Sequence, residues 1–364
     1  MKIAMVTALW GPAYPTGSGV YAYELACRMA NLGHEVTVYT SNVGVFNGFK
    51  YPDNLKIVKL KSRAMMWEVN PIVNIFPSLL QEDYDIIHAH SYLYFISNLT
   101  ALAQGLKDSK LVLHFHGGLN HSGINNGISR RVWMKEYVFD PFVGKFTVKM
   151  ADKCLSVAKS DIPIIRRKFN VEAEFVPNAV ESNFFTPETM EKEFVTYVGK
   201  LETWKGLDVL LKAFTMVRNE IGENIKFRII GEGSLFSNIQ DSGLNIELTG
   251  HVSHQDMPKY YNESLLTVLP SNMEGSPTTC MESLSCAVPV IATDVGDTRD
   301  IVEHGRSGYL VRPNDSSSIA KYMIQLLSDE KLRVEMGLNG RDHILNNYSY
   351  EAVMNKLNSI YKNL

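Results

Sequence analysis

Long apolar runs are missing from this chain, and none approaches the roughly 20 residues a helix needs to cross a bilayer. The opening KIAMVTALW has one lysine and a brief apolar run cut short by Gly-Pro. It reads as a first buried strand rather than an export signal, so a cytoplasmic protein is the expectation. The four cysteines, Cys27, Cys154, Cys280 and Cys286, have no metal-ligand spacing. Reduced core thiols are their default state. No Walker lysine and no G-x-G-x-x-G run follows the first strand, which excludes two common nucleotide fingerprints. An excess of positive charge is absent as well. The net charge of -3 and a pI near 6.4 argue against a dedicated nucleic-acid binder. Low-complexity tracts and short repeats are also lacking.

What is present is ordinary for a soluble globular protein, with 45% apolar and 21% charged residues. A length of 364 residues exceeds one ordinary core and implies two domains. The charge is unevenly spread. Residues 1–180 hold 19 Lys and Arg against 14 Asp and Glu, whereas residues 181–364 hold 17 against 25. A basic first half suits contact with an anionic partner.

Short apolar runs alternate with helical patterns. KIAMVT precedes a helix over Val20–Leu32, and EVTVYTS, LKIVKL, DIIHAH and LVLHFHG follow. The second half repeats the theme with EFVTYVGKL, a helix over Leu207–Ile221, FRIIGEG, IELTGHV, LTVLPS, a helix from Thr278, VPVIATDV and a helix over Ser316–Ser328. Continuous apolar strands alternating with helices mark parallel sheets covered on both faces. The expected fold is α/β, with two doubly wound, Rossmann-like domains facing across a cleft. The expected boundaries are 1–180, a polar linker over 181–192, 193–345, and a last helix over 346–364 returning to the first domain. Ligands of such sheets bind beyond the carboxyl ends of the strands.

The candidate chemistry lies there. Glu274-Gly-Ser-Pro-Thr-Thr-Cys-Met-Glu282 sets two carboxylates eight residues apart, across a turn leading into a helix. A helix N-terminus offers free amides and partial positive charge to a phosphate. Glu282 is placed to reach a ribose diol and Glu274 to face sugar hydroxyls; an isolated pair of this kind is usually two solvated acids. Gly17, Ser18 and Gly19 follow the first strand and open a helix, where small residues let a phosphate approach, although a tight connection is as common. Lys200 and Lys205 follow another strand, and two cations suit a diphosphate. Gly231 and Gly250 supply bare backbone. His88, His90, His114 and His116 end two successive strands. A zinc site is the sharp alternative, but no Cys or carboxylate is placed to complete it, so hydrogen-bonded strand-end histidines are expected. His116, followed by Gly117-Gly118, is the best of the four for touching substrate. Asp83-Tyr-Asp85 precedes a strand and reads as its polar edge.

In order and spacing these pieces resemble the group 1, GT4-type retaining glycosyltransferases of the GT-B fold. They comprise Gly17–Gly19, D-I-I-H-A-H, His116-Gly, Pro177-Asn178, Gly199-Lys200, Lys205-Gly206, Gly231-Glu-Gly233, the E-x7-E block and the run PVIATDVGDTRDIVEHGRSGYLV. The resemblance implies that Lys200 and Lys205 bind the diphosphate of a UDP-, GDP- or ADP-sugar and that Glu282 binds its ribose. It implies that Glu274, Gly275, Ser276, Thr278 and Thr279 meet the donor sugar and phosphates, and that His116 stands near the anomeric carbon. Gly17–Gly19 would line the phosphate and acceptor side, with Asn178 shaping the cleft. It further implies transfer of a hexosyl unit to a hydroxyl acceptor with no divalent metal and no cofactor beyond the donor. Two departures stand out. Lys200 occupies a position where arginine is common, and Ser276-Pro277 replace the last two residues of E-G-F-G, so one amide donor is lost at Pro277.

The segment Ser129–Lys153 mixes cations with Trp133, Tyr137, Phe139, Phe142 and Phe146. Such a stretch either lies on an anionic membrane, presenting a lipid-linked acceptor, or packs its aromatics inward with solvated cations outside. Competing functions are a nucleotide-sugar epimerase of the same fold, a sugar-binding protein without catalysis, and an inactive scaffold.

Overall fold

The computed structural model describes residues 1–364 except Pro12, Pro15, 47–49, 68–69, Gly118, 120–129 and Asp241, and excludes the side chain of Arg131. Gly118 and Ser129, named above, lie outside the described residues. The chain divides into one unit of Met1–Pro177 with Met354–Leu364, and a second of Asn178–Val353.

The first unit carries a seven-stranded parallel sheet. Its elements are β1 (Lys2–Val6), β2 (Glu35–Ser41), β3 (Leu55–Leu60), a small antiparallel hairpin of β4 (Ala64–Met66) and β5 (Asn70–Ile72), β6 (Ile86–His90), β7 (Lys110–Phe115), β8 (Lys153–Ser156) and β9 (Ala173–Phe175). The order β3-β2-β1-β6-β7-β8-β9 reverses direction beside β1. Ile3, Ala4, Met5 and Val6 are fully buried, as a strand covered on both faces requires. The helix Gly17–Asn31 starts three residues earlier than its apolar periodicity suggests, because the Thr16 side chain accepts from the Gly19 amide at 3.2 Å and caps it.

In the second unit, β10 (Phe194–Val198), β11 (Lys226–Ile230), β12 (Ile246–Gly250), β13 (Ser264–Leu269), β14 (Val290–Thr293) and β15 (Gly308–Val311) form a parallel sheet of order β12-β11-β10-β13-β14-β15. Here the order reverses between β10 and β13, and the crevice beyond their carboxyl ends is the expected ligand position. The helices Leu207–Ile221 and Ser316–Ser328 begin and end where the sequence pattern places them. Asp315 caps the second by accepting from the Ser318 amide at 2.9 Å.

Three features differ from the sequence expectations. The segment 181–192 is no free linker: Phe185 is buried, and the Asn262 amide group bonds Thr186 O at 2.8 Å and accepts from the Glu188 amide at 2.8 Å. It lies within the second unit, whose boundary falls at Asn178. A helix over Glu330–Asn347 was not anticipated. Gly337 and Gly340 weaken its helical signature, yet each serves close packing. A Cβ on Gly337 would come within 2.1 Å of Ala287 O, and one on Gly340 within 2.5 Å of Leu284. Finally, Lys135–Gly144 forms a π-helix flanked by short α-helices, and Trp133, Tyr137, Phe142 and Phe146 point outward. Inward packing of that aromatic set is overturned; Phe139 alone turns in, against Tyr92. Among the described residues no helix is long and apolar enough to cross a membrane.

Asp83 and Asp85 do take the structural part read from sequence. Asp85 accepts from the Lys2 amide at 2.7 Å, and Asp83 pairs with Lys107 at 3.1 Å.

Candidate active site

The loops after β10 and β13 are neighbours at the reversal point of the second sheet, and they are tied together. Gly206 adopts φ 69°, and a Cβ there would sit 2.1 Å from Pro270 O. Only glycine lets the turn after Lys205 lie so close to the β13 loop. The Asn272 amide donates to Trp204 O at 2.8 Å, which pins the same two loops again. As a result Lys205 Nζ donates to Glu274 Oε1 at 2.7 Å, and Ser271 Oγ donates to the same oxygen at 2.6 Å. The two ionised side chains are only 18% and 11% exposed. The carboxylate is the lysine's counterion.

Behind Glu274, Gly296 adopts φ 56°, and a Cβ there would meet Glu274 O at 2.2 Å. The Asp297 amide donates to Gly275 O at 2.9 Å. These contacts hold the Glu274-Gly275 backbone while the Gly275 α-carbon faces open space. The helix Thr278–Ser285 then begins at Pro277, whose φ of -72° suits the position before a first turn. No side chain caps that end. Its leading amides therefore keep their donor capacity and the positive end of the helix dipole.

Glu282 lies one turn into this helix and is half-buried. Burial raises its pKa above 4.5, opposed by the hydrogen bond that Tyr261 Oη donates to Oε2 at 2.7 Å. The buried Cys280 thiol is pushed up by burial and feels Glu274, Lys205 and Glu282 together, which sets all three charges around one side chain. Lys200 is exposed, and among the described residues it forms no ion pair; its carbonyl accepts from Tyr197 Oη at 2.8 Å. Gly231 crosses so near Gly199 that a Cβ would lie 1.9 Å from Gly199 O, and its amide donates to Gly250 O at 2.9 Å. Gly231 and Gly250 thus knit β10, β11 and β12 at their carboxyl ends. Asn178 opens the second unit, half-buried. Ser271, Tyr261 and Gly296 escaped sequence reasoning. The run V-G-D-T was visible but gave no sign that its glycine lies under Glu274.

The remaining candidates belong to the first unit. Gly17 faces open space, Ser18 Oγ shares a hydrogen bond with Tyr94 Oη at 3.2 Å, and the Gly19 amide is already taken by Thr16. Gly19 is needed for closeness, since a Cβ would meet Leu9 O at 2.7 Å. His88, His90 and His114 are fully buried, and His116 is half-buried. His116 Nε2 lies 2.9 Å from His90 Nδ1, His114 Nε2 donates to Val176 O at 3.1 Å, and His88 Nδ1 shares a hydrogen bond with Tyr361 Oη from the last helix. Burial lowers the pKa of all four, that of His114 to about 4, so the rings are neutral. His88, His90 and His114 bring one nitrogen each within 4.8 Å of one another. Their rings lie within 15° to 26° of parallel.

The family described as Glycosyl transferases group 1 matches residues 180–343, and Glycosyltransferase Family 4 matches residues 15–184. The chain is a group 1, family 4 glycosyltransferase. An uncharacterized glycosyltransferase of Methanocaldococcus jannaschii is 25% identical over 373 residues, covering 100% of this chain and 99% of that protein. An N-acetyl-alpha-D-glucosaminyl L-malate synthase of Bacillus anthracis is 23% identical and covers 96% of this chain and 94% of its own length. Among solved structures, Anabaena HepE in complex with UDP superimposes with a TM-score of 0.79 at 16% identity, over 100% of both chains. The glycosyltransferase is therefore an enzyme of the GT-B fold, with two Rossmann-like units.

Proposed function

We propose that this glycosyltransferase moves a hexosyl unit from a nucleoside-diphosphate sugar to a hydroxyl acceptor with retention of configuration and without a divalent metal. The observation that carries the reading is the Lys205–Glu274 pair at the sheet reversal, beside an uncapped helix N-terminus with Glu282 one turn inside. A diphosphate needs charge compensation as the glycosidic bond breaks, and Lys200, Lys205 and the amides of Ser276, Thr278 and Thr279 supply it without reorganisation. Glu282, oriented by Tyr261, accepts from the ribose diol. Glu274 exchanges its contact with Lys205 for the donor's hydroxyls. The leaving phosphate takes the proton of the acceptor hydroxyl on the same face, so no carboxylate pair of the glycosidase kind is required. The roles of His116, Gly17, Ser18, Gly19 and Asn178 rest on the family resemblance alone.

The donor carries UDP, GDP or ADP, and the acceptor is a glycan, a lipid-linked sugar or a small molecule; nucleic acid takes no part. The Bacillus anthracis relative, named for N-acetyl-alpha-D-glucosaminyl L-malate, supports a sugar on the donor side. A thermal-shift screen across UDP-, GDP- and ADP-sugars tests the reading. Donor at a hundred times its Kd adds about 2.7 kcal/mol to stability. Lys205→Ala is expected to remove most turnover, and Glu282→Ala chiefly to weaken nucleotide binding. Near-normal rates in both variants at saturating donor would discard the assignment.

A further inference from the structure

The outward face of residues 130–149 combines two properties that seldom meet on an ordinary surface. Tyr137 and Phe142 are 60% and 71% exposed, and Trp133, Val138 and Phe146 are exposed beside them. Isolated apolar side chains on a surface need no explanation, whereas a contiguous set marks a contact. The charges of the same segment are sorted by sign. Its two carboxylates, Glu136 and Asp140, turn inward: Lys168 pairs with both, at 2.7 Å and 2.6 Å, and Lys135 pairs with Asp140 at 2.9 Å. Tyr92 Oη also donates to Asp140 at 3.2 Å. Arg130, Lys145 and Lys149 remain exposed, with no carboxylate within ion-pair distance among the described residues. The π-helix Lys135–Gly144 is thus anchored by its acids and exposes Tyr137, Val138 and Phe142, while the exposed cations Arg130, Lys145 and Lys149 lie on the short helices at either end.

We propose that this face docks on an anionic lipid bilayer, with the aromatic side chains entering the headgroup region and Arg130, Lys145 and Lys149 lying at the lipid phosphates. The charge sorting decides between occupants. A second copy would meet the face through a two-fold contact, which sets like cations against one another. A bilayer carrying negative headgroups complements every charge the face exposes, and aromatic rings with polar edges favour the interface. Each cation near such a surface strengthens partition about five-fold, so three together are worth roughly a hundred-fold. The contact goes beyond the transfer reaction and does not depend on it, because vesicle binding needs no donor.

The test is co-sedimentation of the full chain with phosphatidylcholine vesicles, with and without phosphatidylglycerol, while Trp emission is followed. Arg130→Gln/Lys145→Gln/Lys149→Gln and Tyr137→Ser/Phe142→Ser/Phe146→Ser are compared with the native protein, and Phe142→Ser serves alone if the triple variant does not fold. The native protein is expected to bind only the phosphatidylglycerol vesicles, with a blue-shifted emission and loss of binding at high salt. The Gln variant should lose roughly a hundred-fold in partition, and the Ser variant should lose the emission shift, both with unaltered melting. Equal binding to both vesicle types, absence of binding, or binding untouched by either variant would overturn the proposal. So would a lipid-free dimer that the Ser variant converts to monomer. Donor-induced stabilisation is read separately, so a failed donor screen leaves the vesicle result standing, and the reverse.

Discussion

Removing the charge of Lys205 is expected to separate stability from catalysis in this enzyme. In Lys205→Met the stem stays and the ammonium goes, leaving Glu274 with Ser271 as its remaining bond partner. Breaking a fully buried ion pair on one side costs about 3–5 kcal/mol. Here the pair is 18% and 11% exposed and Ser271 still donates, so a loss of about 2 kcal/mol is expected. For a unit of this size that lowers Tm by roughly 4–8 °C. Glu274→Gln leaves the lysine uncompensated and should cost about 1–2 kcal/mol. The double variant Lys205→Met/Glu274→Gln has no unpaired charge, and its stability should return to within about 1 kcal/mol of native. Turnover should not return: losing a group that stabilises developing charge costs about a hundred- to a thousand-fold. Thermal melts of the four proteins, with kcat/KM on an identified donor, read both quantities. Strictly additive Tm losses would show that the pair is not coupled. Recovery of activity together with stability would show that Lys205 acts through the fold and not on the donor.

Two further outcomes follow from the same geometry. Burial raises the Glu282 pKa, so the folded protein holds this proton more tightly than the unfolded chain, and stability falls as pH rises upward from the ordinary value of 4.5. Glu282→Gln should therefore melt higher than native above that window in the absence of donor and match it below; a constant difference at every pH would refute the burial cause. Gly337→Ala should lower Tm by several degrees, because its Cβ would lie 2.1 Å from Ala287 O and force apart the helices Glu330–Asn347 and Thr278–Ser285. An unchanged Tm would mean that the packing yields.

Much of the architecture was legible because it rests on local pattern. Fully buried parallel strands read as unbroken apolar runs, and KIAMV and FVTYV occupy the strands they suggest. The helical pattern over Ser316–Ser328 likewise marks the helix found there. The helix Glu330–Asn347 stayed hidden because its glycines answer to a neighbouring helix and not to their own. Polar composition suggested a linker over 181–192, but backbone-to-side-chain bonds from Asn262 fasten it to the second unit.

The residue types of the candidate site were likewise set out along the chain, in E-x7-E, Lys205-Gly206 and the histidine pairs. Their partners were not. Lys205 meets Glu274 across 69 residues, and His88 meets Tyr361 across 273. Sequence alone determined which segments become strands and helices and which groups could carry charge, since those depend on near neighbours. Tertiary structure alone decided that Glu274 faces Lys205, that Tyr261 orients Glu282, and that Glu136 and Asp140 of the π-helix pair with Lys168 while Tyr137 and Phe142 face out. Such pairings depend on the order in which strands lie side by side, and no local pattern of residues encodes that order.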